Sequence, residues 1–208
     1  MAEPTHVIVA MGDSTTAGTP GWQSPLEAPP RGAGDETSQY AYWLMKAHPE
    51  WSVLNRGVNG ERSDQILARF DRDVIDARPD AVVVIAGVND VYQGRSPSHA
   101  VEQLSEMYAR AHHAGILVLA GTIVPYNTAT PEQNARMQAI NSWIQERSAS
   151  CPWLAVVDTR AAVAAPGSPD LLDETPDQLH PSASGYQKMA DAIRRVLEQR
   201  LRVADIRR

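Results

Sequence analysis

Five short apolar runs punctuate the chain, with segments of helical periodicity set between them. The runs are Val7 to Met11, Ser52 to Asn55, Ala81 to Gly87, Ile116 to Gly121 and Leu154 to Asp158. Four of them are solidly apolar, which predicts parallel strands covered on both faces. Val53-Leu54 carries the weakest strand signal. Ser63 reads as the N-cap of a helix with Ile66, Leu67, Phe70 and Val74 on one face. A helix from about Ser98 carries Val101, Leu104 and Tyr108 and stops at Gly115. Thr130-Pro131-Glu132-Gln133 reads as a capping box with proline at the first helical position, leading through Met137, Ile140 and Ile144. The last helix starts after Pro181 and spaces Tyr186, Met189, Ile193, Val196 and Leu197 by three or four residues. Strand–helix alternation of this kind predicts a doubly wound α/β sheet, in a single domain over residues 1–208.

Two stretches break the rhythm. Thr19 to Thr37, with Pro20, Pro25, Pro29 and Pro30, and Ala164 to Pro181 read as long irregular loops, which in a compact domain are often functional. Composition narrows the partners. With 208 residues, 43% of them hydrophobic, the chain can bury a core without disulfide or metal staples. A net charge of −6 with both signs interspersed argues against nucleic acid or an anionic membrane as partner. Lone Cys151 excludes a disulfide framework and a cysteine zinc site, and fits a reducing compartment. The apolar runs are far too short to span a bilayer. Met1-Ala2-Glu3-Pro4 has neither the basic start nor the apolar stretch of a secretion signal, so a cytoplasmic location is expected.

In an open parallel sheet, ligands bind beyond the carboxyl ends of the strands. The candidate chemistry therefore lies in Gly12-Asp13-Ser14-Thr15-Thr16, Asn55-Arg56-Gly57-Val58-Asn59-Gly60, Gly87-Val88-Asn89-Asp90 and, past the second long loop, Asp177-Gln178-Leu179-His180. Together these hold the parts that acyl transfer needs. Ser14 requires a base to take its proton, and His180 is the candidate. Asp177, three residues earlier, can reach one imidazole nitrogen by a chain reversal while the other faces Ser14. A carboxylate so placed holds the tautomer and stabilises the imidazolium. The backbone N–H groups of Ser14 and Gly60 and the side-chain amide of Asn89 are candidate oxyanion donors. Gly60 suits a place where backbone must approach a ligand closely. Each segment alone is a common turn or cap; the four in order point to a serine ester hydrolase.

This constellation resembles the SGNH hydrolases, also called GDSL esterases and lipases, over nearly the whole chain from His6 through the last helix. Ser14 matches the nucleophile of the family's first block, with Asp13 beside it. Gly60 matches the second block in Asn55-x-Gly57-x-x-Gly60, and Asn89 the third in Gly87-x-Asn89-Asp90. Asp177 and His180 match the last block, Asp-x-x-His. The resemblance implies a three-layer α/β/α fold on a five-stranded parallel sheet of flavodoxin-like order. It also implies an acyl-enzyme mechanism with no metal or organic cofactor, and a small-molecule ester as partner. Thr15 stands where the family name has leucine, which looks like the family's carbohydrate acetylesterases. Small acyl esters, such as sugar or aryl acetates, are therefore the expected substrates. The alternative is a lysophospholipase or acyl-CoA thioesterase acting on longer chains. Glu61-Arg62 also departs from the family pattern, and Arg62 is expected in a surface ion pair rather than on an anionic substrate.

Trp22, Tyr92 and Tyr126 lie just beyond strand ends and are candidate substrate-binding residues. Trp43, Trp51, Trp143 and Trp153 are expected in the core. Adjacent His112 and His113 on a helix point apart and cannot chelate together. His48 reads as part of a helix end, and His6 and His99 show no partner in the sequence. Ser14 to Thr19 also looks like the hydroxyl-rich phosphate loop of flavodoxin-like FMN-binding proteins, but that reading leaves Asn89, Asp177 and His180 unexplained. No Gly-Lys-Ser/Thr follows the first strand, which excludes a Walker-type nucleotide site.

Overall fold

The apolar runs are solid because most of the strands they form meet a helical layer on both faces. A computed structural model describes residues 4–205; Met1, Ala2 and Glu3, part of the expected leader-free start, lie outside the described residues. The central sheet contains β1 (His6–Gly12), β2 (Trp51–Gly57), β3 (Ala81–Ile85), β4 (Leu117–Gly121) and β5 (Leu154–Val157). All pair in parallel, in the spatial order β2-β1-β3-β4-β5. This is the flavodoxin-like order of the doubly wound fold. In register, Ile8 of β1 sits between Val53 and Ala81.

Successive strand residues point to opposite faces and enter two different cores. Val9, Met11, Val82 and Val84 pack with Ile66, Leu104, Met107, Met137 and Ile140. Ile8, Ala10, Val83 and Ile85 pack with Tyr40, Leu44, Tyr186, Met189 and Ile193. Edge strand β2 alternates instead, with Trp51, Val53 and Asn55 buried and Ser52, Leu54 and Arg56 half-buried. That one-sided burial is why Val53-Leu54 is a weak strand signal.

The helices are α1 (Ser14–Ala17), α2 (Tyr40–Ala47), α3 (Ser63–Ala68), α4 (Val88–Tyr92), α5 (Pro97–His113), α6 (Pro131–Ser150), α7 (Thr159–Val163) and α8 (Ala183–Asp205). Helices α3, α5 and α6 cover one face of the sheet, and α2 and α8 the other. Thr130 caps α6 as expected: its Oγ1 accepts from Gln133 N at 3.2 Å, and Gln133 Oε1 accepts from Thr130 N at 2.9 Å. Gly115 follows α5 with φ 75°, the left-handed conformation that ends a helix.

Several expectations change. Ser63 does not cap α3; it is the first helical residue, and its N and Oγ both donate to the buried Asp90 carboxylate, at 2.9 and 2.7 Å. The α-helix ends at Ala68 and a π turn spans Asp71–Ile75, yet Phe70 and Val74 stay buried. Each long loop holds a small hairpin, Trp22–Gln23 with Ala33–Gly34 and Ala164–Ala165 with Ser168–Leu172. His6 and His99 have acidic neighbours after all: His6 Nδ1 lies 3.8 Å from Asp80, and His99 Nε2 lies 3.7 Å from Asp64 and 3.8 Å from Asp90. Trp51 is buried, whereas Trp43, Trp143 and Trp153 are only partly buried against the two cores. Among the described residues, no helix is long and apolar enough to cross a membrane.

Candidate active site

The carboxyl ends of β1, β2 and β3 deliver three of the four predicted segments to one edge. At Gly12 the chain turns directly into α1, so Ser14 occupies its first position. Asp13 caps the turn, its Oδ1 accepting from Thr15 N at 3.0 Å. Strand β2 presses against α1 where only glycine fits, since a Cβ at Gly57 would strike the Ala17 backbone. Asn55 Nδ2 donates to Ala17 O at 3.0 Å and reinforces that contact. Thr16 Oγ1 accepts from the buried Tyr40 hydroxyl at 3.2 Å, so this threonine faces the core and is no part of a phosphate cradle. Asp13 is wholly buried, and its Oδ2 has no hydrogen-bond partner among the described residues. Burial pushes its pKa up to about 7.

Asp177 performs two tasks with its two oxygens, which explains the spacing of Asp-x-x-His. Oδ1 accepts from the backbone N–H of Leu179 and His180, at 2.9 and 2.8 Å, and folds the segment back on itself. Gln178, at the apex, adopts the left-handed φ of 65°. Oδ2 lies 2.7 Å from His180 Nδ1, while His180 Nε2 lies 2.9 Å from Ser14 Oγ. Partial burial raises the Asp177 pKa, but hydrogen bonds from the His180 ring and the two N–H groups outweigh it and hold the carboxyl below its ordinary range. The geometry can pass a proton from the serine hydroxyl to an imidazole backed by an anion.

The candidate oxyanion donors lie alongside. Ser14, Gly60 and Asn89 line one cavity together with His180. Gly60 has φ 78°, and nothing lies within 4 Å of where its Cβ would be. Its positive φ is the backbone conformation that favours glycine. Asn89 Nδ2 donates to Glu61 O at 3.0 Å, leaving the second amide hydrogen for a ligand.

The cavity has a volume of about 260 Å³. Its apolar side is Val88, Tyr92, Val124, Tyr126 and Leu179; its polar side includes Thr15, Asn59 and Gln93. Tyr92 and Tyr126 meet edge to face at 5.8 Å, Tyr126 buried and Tyr92 56% exposed at the rim. Trp22 is not among the lining residues. Its ring packs over Gly32 inside the first hairpin, so this aromatic organises its own loop.

A model of the GDSL-like lipase/acylhydrolase family matches residues 10–188, a span that includes Ser14, Gly60, Asn89, Asp177 and His180. The chain belongs to this family. Its fold is similar to that of a protein of the lipolytic G-D-S-L family from Desulfitobacterium hafniense DCB-2, with TM-score 0.77, 22% identity and coverage of 93% of this chain and 100% of that one. It is likewise similar to a lipase/acylhydrolase from Enterococcus faecalis, with TM-score 0.73, 25% identity and coverage of 94% and 97%. Over 57 residues the chain is 37% identical to an acetylxylan esterase from Geobacillus stearothermophilus. That stretch is 26% of this chain and 26% of the relative, so the chain spans about a quarter of that curated protein.

In this member of the GDSL-like family, sequence reasoning misses part of the cavity wall. Val88 and Leu179 sit inside motifs already singled out, each next to a predicted site residue, Asn89 and His180. Gln93 lies four residues beyond Asn89, one turn along, which is the spacing at which side chains share a helix face. Val124, in the segment after β4, carries no local signal.

Proposed function

We propose that the protein is a serine esterase for small acyl esters, with Ser14 as nucleophile and His180 as general base. The observation that carries this reading is the continuous chain Asp177 Oδ2, His180 Nδ1, His180 Nε2, Ser14 Oγ, with links of 2.7 and 2.9 Å across the ring. Such links fall within the reach that proton transfer requires. Ser14 Oγ attacks the ester carbonyl as Nε2 accepts its proton, and Asp177 stabilises the resulting imidazolium. The carbonyl oxygen becomes an oxyanion and takes hydrogen bonds from Ser14 N–H, Gly60 N–H and Asn89 Nδ2. Collapse of the intermediate breaks the ester C–O bond, and the leaving alkoxide receives the proton from His180. Water, deprotonated by the same nitrogen, then attacks the acyl-serine; as the acyl C–O bond breaks, Ser14 Oγ takes that proton back from His180 and the acid is released.

The cavity supports a small substrate. At about 260 Å³ it falls just below the roughly 300–1,000 Å³ typical of sites for drug-sized ligands, in keeping with a small ester as the whole substrate. The partial likeness to an acetylxylan esterase supports the same class. Rim residue Tyr92 offers an exposed aromatic face to a sugar or aryl leaving group. A series of p-nitrophenyl esters from acetyl to palmitoyl, run on wild type and Ser14→Ala, tests both parts. Rates should peak at the shortest chains and vanish in the variant. A peak beyond about eight carbons would reject the small-acyl assignment, and hydrolysis retained by Ser14→Ala would reject the nucleophile.

A further inference from the structure

The proposed oxyanion donors come from two separate elements, so something must hold those elements in register. Gly60 leaves the loop after β2, and Asn89 stands on α4. The residues on either side of Gly60 are tied elsewhere, Asn59 N donating to Glu27 Oε1 at 2.8 Å and Arg69 Nε to Glu61 Oε2 at 2.7 Å. The carbonyls of Gly60 and Glu61 are held from α4. Asn89 Nδ2 holds the Glu61 carbonyl at 3.0 Å, and Gln93 Nε2 holds the Gly60 carbonyl at 3.0 Å. Two amides one helical turn apart thus grip two consecutive carbonyls.

Gln93 can do this only if its amide is turned the right way, and Arg62 dictates the turn. Arg62 Nη1 donates to Gln93 Oε1 at 2.9 Å. A guanidinium has no acceptor, so only the oxygen of Gln93 can face it and Nε2 is forced toward Gly60. The guanidinium is itself fixed by both oxygens of Asp64, at 2.9 and 3.0 Å from Nε and Nη2. Arg62, one of the departures from the family pattern, is therefore the base of a strut that runs Asp64, Arg62, Gln93, Gly60.

We infer that Gln93, oriented by Arg62, is a positioning residue of the oxyanion hole. By fixing the Gly60 carbonyl it sets the Gly60–Glu61 peptide plane and limits rotation about the Gly60 Cα, which keeps the Gly60 N–H on the preceding peptide aimed at the developing oxyanion. This rests on the ester-hydrolysis reading, and Ser14→Ala serves as the control that separates failure of that reading from failure of this one.

The test measures kcat, KM and Tm on p-nitrophenyl acetate for Gln93→Met, Arg62→Met and the double variant, along with affinity for a trifluoromethyl ketone that mimics the tetrahedral intermediate. Deleting an oxyanion donor outright costs 10²–10³ in turnover, so misaiming one should lower kcat by about tenfold in Gln93→Met, with KM within twofold. Ketone affinity should fall in parallel with kcat/KM, while Tm stays close to wild type. Arg62→Met should lose less, and the double variant no more than Gln93→Met alone, because both act through one hydrogen bond. If kcat stays within twofold in Gln93→Met, or the two losses multiply, the inference is overturned. A fall in kcat that is accompanied by an equal rise in KM would also overturn it.

Discussion

Two histidines in this protein are held by carboxylates at nearly the same distance, at opposite edges of the sheet. His180 Nδ1 lies 2.7 Å from Asp177 at the carboxyl edge, and His48 Nδ1 lies 2.8 Å from Glu50 at the amino edge, just before β2. They differ in what meets the second nitrogen. At His48 it is another carboxylate, Glu198 at 2.9 Å, and the ring is stacked on Trp51 with centroids 3.8 Å apart. Both nitrogens face only acceptors, so the ring serves as a bridge from α8 to the chain entering β2. At His180 the second nitrogen faces a hydroxyl, Ser14 Oγ at 2.9 Å. An imidazole–carboxylate pair is therefore not a site in itself; the group beyond it decides whether a proton has somewhere useful to go.

The strongest way to break this contrast is to remove each ring in turn. His180→Ala should reduce kcat about 10⁴-fold or more, as loss of a triad member does, while His48→Ala leaves kcat within twofold. Comparable losses in both variants on p-nitrophenyl acetate would erase the distinction.

A second difference concerns stability. The carboxyl edge carries a buried cost in Asp13, whose pKa rises from 3.8 to about 7 in the folded protein. The native state thus holds a proton that the unfolded chain has released. The stabilising effect is complete below about pH 4 and is lost as pH climbs through about 7. Relative to Asp13→Asn, wild type should lose up to roughly 4 kcal/mol between pH 4 and pH 8, readable from urea unfolding at the two pH values. A difference that does not change with pH would remove Asp13 from this role.

The smallest effect is expected at the amino edge. Hydrogen bonds from His48 and Arg194 hold the Glu198 carboxyl below its ordinary range, so that the stability it contributes is lost as pH falls through the acid region. His48→Ala should lower Tm by about 2–4 °C near neutral pH, with the gap narrowing in acid. An unchanged Tm would show that the bridge contributes nothing measurable.

These regions were not equally legible in the sequence. Asp177 and His180 are separated by two residues, and a single carboxylate closes the turn and orients the ring, so local spacing contains the geometry. Glu198 lies on α8, far from His48 along the chain, and nothing local marks that pairing; the sequence supports only a helix end. The same distinction runs through the fold. Strands buried on both faces announce themselves as unbroken apolar runs, whereas β2, at the sheet edge, alternates and blurs. Ser63 was legible as a polar residue at a helix start, but its commitment to Asp90 depends on a neighbour from another strand end. Arg62 and Gln93 were likewise unreadable as a pair, since their contact spans two loops. Trp22 looked like a cleft aromatic because of its loop's composition, yet the hairpin that forms there folds the ring onto Gly32.

The central claim, that Ser14 is activated through His180 and not merely placed beside it, is most directly tested by stoichiometric labelling with a fluorophosphonate, followed by peptide mapping in wild type, His180→Ala and His48→Ala. The label should reach Ser14 in wild type and in His48→Ala at similar rates, and should be lost in His180→Ala. Undiminished labelling of Ser14 in His180→Ala, or modification of a different residue in wild type, would contradict the account.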